Sequence, residues 1–224
     1  MGKLIVANWK MNGSVDLAEE FAKTFSVSNL ILGLPTIFLL PCHNRNTKLK
    51  LAAQDCSIFP GFGAHTGEIS AQMLREAGIE YVILGHSERR STSNLDSVEN
   101  VLQKLSHAID VGLVSILCID ENFNRLIDKN TSDLIKNNQG KVILAYEPIS
   151  AIGTGIVPKT SAIIEIVSQI KKEYEGIATL YGGSVNSDNA SEIMSISEID
   201  GILVGGASLK ISEISALLSK IPST

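Results

Sequence analysis

The chain has 224 residues, 44% of them hydrophobic and 19% charged, the balance of a globular protein with a substantial core. Its net charge of -5 at pH 7 argues against a nucleic-acid partner or an acidic membrane surface. Cys42, Cys56 and Cys118 are irregularly spaced, and the four histidines His43, His65, His86 and His107 lack metal-ligand spacing. Neither a disulfide framework nor a zinc site is expected. The first apolar stretch stops after Ala7, and the run from Leu30 to Leu40 is broken by Gly33 and Pro35. Both are too short for a signal core or a bilayer span, so the expectation is a cytoplasmic protein with no membrane partner.

Short β-rich apolar runs begin near Leu4, Leu30, Leu49, Tyr81, Leu113, Val142, Ala178 and Gly201. Their spacing is close to the ~30 residues of a βαβ unit. Helical rhythms lie between them. Leu74 and Ala77 mark one. Val98, Val101, Leu102, Leu105 and Ile109 mark a second, and Ile163, Ile164, Val167 and Ile170 a third, at the i, i+3, i+4 spacing of one buried helix face. The strand runs Tyr81–Leu84 and Val142–Ala145 are almost wholly apolar, as in parallel sheets covered on both faces. Eight such units predict an α/β chain that closes into a single (β/α)8 barrel over residues 1–224. An open doubly wound sheet has the same pattern.

The polar residues fall where the strands end. The first run ends at Asn8-Trp9-Lys10, the third at Gln54, the fourth at His86 and the sixth at Glu147. The seventh leads into Tyr181-Gly182-Gly183-Ser184 and the eighth into Gly205-Gly206. In a barrel these carboxyl ends converge on one face, where active sites are built.

Each of these residues has a chemistry suited to that face. A carboxylate at a strand end, such as Glu147, is partly desolvated and becomes a stronger base; an exposed surface Glu is the bland alternative. His86 precedes Ser87-Glu88, a pair suited to starting a short helix whose positive end would oppose protonation of the imidazole. A histidine in that place is otherwise structural. Lys10 could stabilise an oxyanion or could simply be solvated. Ala151-Ile152-Gly153-Thr154-Gly155 has the glycines of a mobile loop, and Gly182-Gly183-Ser184 and Gly205-Gly206 offer bare amides, each expected at a helix start, that suit a phosphate dianion. Turns also use glycine pairs. No nucleotide-binding glycine fingerprint is present.

Taken together, these stretches resemble the triosephosphate isomerase family along the whole chain. Asn8-Trp9-Lys10-Met11-Asn12 is similar to its first-strand motif, and Gly63-Ala64-His65-Thr66-Gly67-Glu68 resembles its third loop. Gly85-His86-Ser87-Glu88-Arg89-Arg90 matches the electrophile motif. Ala145-Tyr146-Glu147-Pro148 and Ala151–Gly155 match the base and lid. Tyr181–Val185 and Val204–Leu209 match the phosphate loops. The resemblance implies a TIM barrel that interconverts dihydroxyacetone phosphate and glyceraldehyde 3-phosphate without metal or organic cofactor.

The resemblance also implies residue roles. Glu147 is the base and His86 the neutral electrophile that shuttles protons, an arrangement established for this enzyme family. Asn8 and Lys10 stabilise the developing negative charge, and Glu88 orients Lys10. Amides of Gly153, Ser184, Gly205 and Gly206 hold the phosphate. The lid comprises Pro148, Ile149, Ser150, Ala151, Ile152, Gly153, Thr154, Gly155 and Ile156, and Tyr181 and Ser184 bond to it when it shuts. A homodimer is implied, with Thr66 touching the neighbour near Asn8 and Lys10.

The chain departs from the family pattern at four places. Ser150 stands where the first lid hinge has tryptophan, Pro158 lies in the second hinge, and Asp120 replaces a glycine. The segment between Cys118 and Glu147 is also shorter than usual. Two other readings share the glycine loops: another phosphate-binding barrel isomerase, and a non-catalytic binding protein on the same fold.

Overall fold

The computed structural model describes residues 2–92, 96–122, 127–148 and 158–221. The eight strands are β1 (Leu4–Asn8), β2 (Leu30–Leu34), β3 (Lys50–Ala53), β4 (Tyr81–Leu84), β5 (Val114–Ile119), β6 (Val142–Tyr146), β7 (Ala178–Tyr181) and β8 (Gly201–Val204). They pair in parallel, in chain order, and β8 returns to β1 to close the barrel. The open doubly wound sheet is thereby excluded. β3 and β5 begin one residue later than the apolar pattern suggests.

The described helices are α1 (Val15–Thr24), α2 (Thr36–Arg45), α3 (Ala71–Glu76), α4 (Ser87–Thr92), α5 (Val98–Asp110), α6 (Lys129–Asn137), α7 (Thr160–Glu173), α8 (Ala190–Ser195) and α9 (Ile211–Ser219). Local chemistry sets several starts. The side chains of Ser14, Ser70, Ser97 and Asp128 each accept a backbone N–H from the first turn of α1, α3, α5 and α6 respectively. The apolar stripe of α5 buries Val101, Leu105, Ala108 and Ile109 against the barrel, and that of α7 buries Ile163, Val167 and Ile170.

Strand alternation explains which residues reach the mouth. One parity packs outward under the helices: Ile5 and Ala7, Val82 and Leu84, Leu144 and Tyr146. The other fills the barrel with Val6, Ile31, Ala52, Ile83, Ile116, Cys118, Ile143, Ala145, Leu180 and Leu203. Burying each large aliphatic side chain there contributes roughly 1.5–3 kcal/mol, so the interior is a packed core and not a pore. Extending the inward parity upward by two residues gives Asn8 above Val6, Asp120 above Cys118, Glu147 above Ala145, Gly182 above Leu180 and Gly205 above Leu203. The same alternation that builds the core therefore delivers the polar residues to the carboxyl-end face.

Candidate active site

On β4 the inward row ends without a functional side chain. After Tyr81 and Ile83 the next inward position is Gly85, with φ of 67°, and the turn there swings His86 into the mouth. A Cβ at Gly85 would meet Val101 Cγ1 at 2.8 Å, so glycine is required both for the dihedral and for the close approach of α5.

His86 is held from both sides. The Glu88 N–H donates to His86 Nδ1 at 3.3 Å, which makes Nδ1 the acceptor and leaves the proton on Nε2. The Glu88 carboxylate stands 3.7 Å from the same nitrogen, beyond hydrogen-bond length. His86 Nε2 faces Glu147 Oε1 at 3.0 Å, and the Ser87 N–H donates to Glu147 Oε2 at 3.0 Å. The Glu147 side chain is only 2% exposed, with the fully buried Cys118 thiol against it. Burial first, and then the Glu147 carboxylate, push that thiol far above the usual cysteine range. The short helix expected to begin at Ser87 is α4, with Glu88 in its first turn.

Lys10 enters from β1 with φ of 55°, an unusual left-handed lysine. Its Nζ pairs with Glu88 Oε1 at 2.5 Å. A Cβ at Gly205 would lie 3.2 Å from Lys10 Cε, so the bare glycine just after β8 leaves room for the lysine side chain. Asn8 Oδ1 accepts from the Lys10 backbone N–H at 3.1 Å and from Gln54 Nε2 at 3.2 Å. With its oxygen so engaged, Asn8 offers a ligand its amide NH2.

A cavity of about 300 Å³ opens here, lined by Asn8, Lys10, His86, Glu147, Ser184 and Gly205, with Gly206 and Asn186 at its far side. Gly206 opens a 3-10 turn, Gly206–Leu209, whose first amides have no carbonyl partner within the turn. The segment around Gly182–Ser184 differs from the helix start expected there, because α8 begins only at Ala190. Asn186 Oδ1 accepts from the backbone N–H of Asp188 and Asn189, and its carbonyl accepts the Ala190 N–H at 3.1 Å, a capping pattern that begins the turn leading into α8. Asn189 Nδ2 then donates to the Ser184 carbonyl at 2.9 Å and shapes that rim.

The remaining expected residues divide. Tyr181 is buried at the end of β7 with no hydrogen-bond partner for its hydroxyl among the described residues, and burial pushes its pKa up to about 12. Thr66 lies in an exposed loop. Pro148 and Pro158 are described; Ile149, Ser150, Ala151, Ile152, Gly153, Thr154, Gly155 and Ile156 lie outside the described residues.

The structure also brings together groups that the sequence reading did not find. Lys104, 3% exposed on the apolar face of α5, binds both oxygens of Asp55 at 2.9 Å and Asp96 Oδ1 at 2.5 Å. Arg89 pairs with Asp55 at 2.7 Å and with Asp96. A lysine inside an apolar helical stripe is the signal that would have revealed this cluster. Arg90 pairs with Asp120 at 2.7 Å, and the Tyr146 hydroxyl donates to Glu121 at 2.5 Å.

The geometry can therefore present a carboxylate and an imidazole to one substrate, in a cavity that a lysine and several glycines also line. Comparison with known proteins agrees in kind. The family model for triosephosphate isomerase matches residues 3–221. Triosephosphate isomerase from Neisseria meningitidis serogroup A is 36% identical, covering 97% of this chain and 96% of that protein. The triosephosphate isomerase of Wolbachia pipientis wMel is 36% identical over 99% and 95% of the two chains, and that of Mesomycoplasma hyorhinis 36% over 96% and 97%. On both sequence and fold, this chain belongs to the triosephosphate isomerase family.

Proposed function

We propose that the chain interconverts dihydroxyacetone phosphate and glyceraldehyde 3-phosphate, with Glu147 as base and His86 as acid. The observation that carries this reading is the facing pair itself. A buried carboxylate and an imidazole with its proton on Nε2 meet at 3.0 Å in the mouth of a family barrel. Glu147 takes the proton from the carbon beside the carbonyl. His86 hydrogen-bonds the carbonyl oxygen through Nε2–H as the enediolate charge builds there, then passes that proton to the oxygen, which leaves a transient imidazolate beside a neutral enediol. His86 then takes the proton of the neighbouring hydroxyl, and Glu147 returns its proton to the other carbon. A neutral imidazole serves both transfers without first shedding a charge, as established for this family.

The Lys10 ammonium and the Asn8 amide are placed to stabilise the enediolate oxygens. The amides of Ser184, Gly205 and Gly206, joined by Gly153 of the lid, hold the phosphate dianion, which needs backbone N–H groups more than a basic cluster. The family resemblance assigns Pro148 to Ile156 to a lid over the phosphate and makes the Tyr181 hydroxyl one of its partners. Closure keeps water from the enediolate, which otherwise expels phosphate.

We further propose a single domain acting as a homodimer in the cytoplasm. Met11, Ile37 and Phe62 are 96%, 74% and 64% exposed, and all belong to the first third of the chain. A second cavity of about 320 Å³, lined by Lys10, Met11, Gln54 and Glu88, is suited to receive the Thr66 loop of a second copy. Three free buried thiols fit a reducing compartment.

Incubating the protein with dihydroxyacetone phosphate in deuterium oxide tests the assignment. The reading expects deuterium to enter the carbon next to the carbonyl in the wild type and not in Glu147→Gln. Isomerisation without exchange would point instead to a hydride shift.

A further inference from the structure

We infer that Asp120 is a positioning residue for the proposed isomerisation, pairing with Arg90 to cancel a buried positive charge beside Glu147 and so preserve the carboxylate's strength as a base. The inference rests on Glu147 being that base.

Asp120 stands one inward step above Cys118 on β5, and the backbone N–H of Glu147 donates to the Ile119 carbonyl at 2.8 Å, so the two strand ends run side by side. Asp120 Oδ2 meets Arg90 NH1 at 2.7 Å, with side chains only 9% and 14% exposed. Asp120 Oδ1 accepts the Asn122 N–H at 2.8 Å, which fixes the carboxylate. The Arg90 Nε donates to the Gly85 carbonyl at 2.6 Å, directly before His86. Arg90 is thus pinned between the Gly85 carbonyl and Asp120, and Asp120 follows the Ile119 whose carbonyl holds the Glu147 backbone, which sets the guanidinium beside the strand end that carries Glu147.

The charges around Glu147 fall into pairs. From β1 comes Lys10, matched by Glu88 of α4. From α4 comes Arg90, matched by Asp120 after β5. His86 and Cys118 face the carboxylate directly, Glu121 is engaged by the Tyr146 hydroxyl, and Tyr181 stands at the end of β7. Among the described residues each of these two cations thus pairs with a carboxylate other than Glu147, and no lysine or arginine forms an ion pair with Glu147. An uncompensated guanidinium in so dry a place would hold Glu147 ionised and weaken it toward carbon.

The test is the pH profile of kcat/KM for the wild type, Asp120→Asn, and the double variant Arg90→Met/Asp120→Asn. The acid limb of Asp120→Asn is expected to move down by about half to one pH unit, with kcat/KM at neutral pH falling about three- to tenfold. In the double variant the acid limb returns to the wild-type position, although the lost clamp on Gly85 keeps the rate low. An unmoved limb in folded Asp120→Asn overturns the inference, and so does a double variant whose limb stays shifted. Should Asp120→Asn fail to fold, Asp120→Gly takes its place in the same comparison. A carbon-13 titration of the Glu147 carboxyl reads the same shift without turnover. An inactive wild type would strike the isomerase reading itself and is seen before any variant is made.

Discussion

His86 Nε2 lies 3.0 Å from Glu147 Oε1, so the proposed acid and base touch each other across the mouth. A substrate must part them, placing its carbonyl oxygen at the imidazole and its acidic carbon at the carboxylate. His86→Gln keeps a donor of similar reach but cannot exchange protons between two oxygens. Its kcat is expected to fall by about 10²–10⁴, with KM little changed, in a steady-state assay. A near-native kcat would remove His86 from the chemistry.

The cluster of Lys104, Asp55, Asp96 and Arg89 should govern stability more than rate. Lys104→Met leaves two buried carboxylates with Arg89 alone, a loss of about 3–5 kcal/mol. Urea unfolding measures it. Burial pushes the Asp55 carboxyl up, while Lys104 and Arg89 oppose the shift. Folded Asp55 therefore holds its proton to higher pH than the unfolded chain does. Stability from this group falls as pH rises through that window, and more steeply in Lys104→Met.

The thiols should be inert in the native protein. Burial raises Cys42 to about 11 and Cys56 to about 12, and Cys118 is raised as well. At pH 8 almost no thiolate exists at any of them. A disulfide reagent is expected to titrate three thiols in urea and essentially none in minutes under native conditions. Fast native labelling would show that one of them opens to solvent.

Gly85→Ala tests the turn that aims His86. A side chain at φ of 67° meeting Val101 at 2.8 Å costs about 1–3 kcal/mol and displaces the imidazole. Thermal unfolding and kcat are both expected to drop. A stable, fully active variant would mean that α5 gives way freely.

The barrel was legible because its strands are short and apolar at regular spacing, and alternation carries their last residues to one face. Asn8, Glu147 and Gly205, which the sequence places at strand ends, line the cavity on that face. The partners are less legible. Lys104 finds Asp55 across 49 positions of chain, and Arg90 finds Asp120 across a strand and a helix, pairings that only the closed sheet creates. Asp120 stands out in the sequence as a departure from the family pattern, and the fold gives it Arg90 as a partner. The helix start after β7 shows the opposite failure: the sequence places it at the glycine pair, whereas the capping side chain is that of Asn186, a few residues further on.

The measurement closest to the central claim is isomerase activity on glyceraldehyde 3-phosphate for the wild type, Glu147→Asp and Glu147→Gln. Glutamine keeps the shape and can accept one of the two protons, the Ser87 N–H or the His86 Nε2–H, with its single carbonyl oxygen, so the fold should survive while the base is lost. Aspartate keeps the charge but draws it back by one methylene. The account predicts a fast wild type and falls of about 10²–10⁴ in kcat for both folded variants. Either variant turning over at the wild-type rate would contradict it, because the proton would then be leaving through another group.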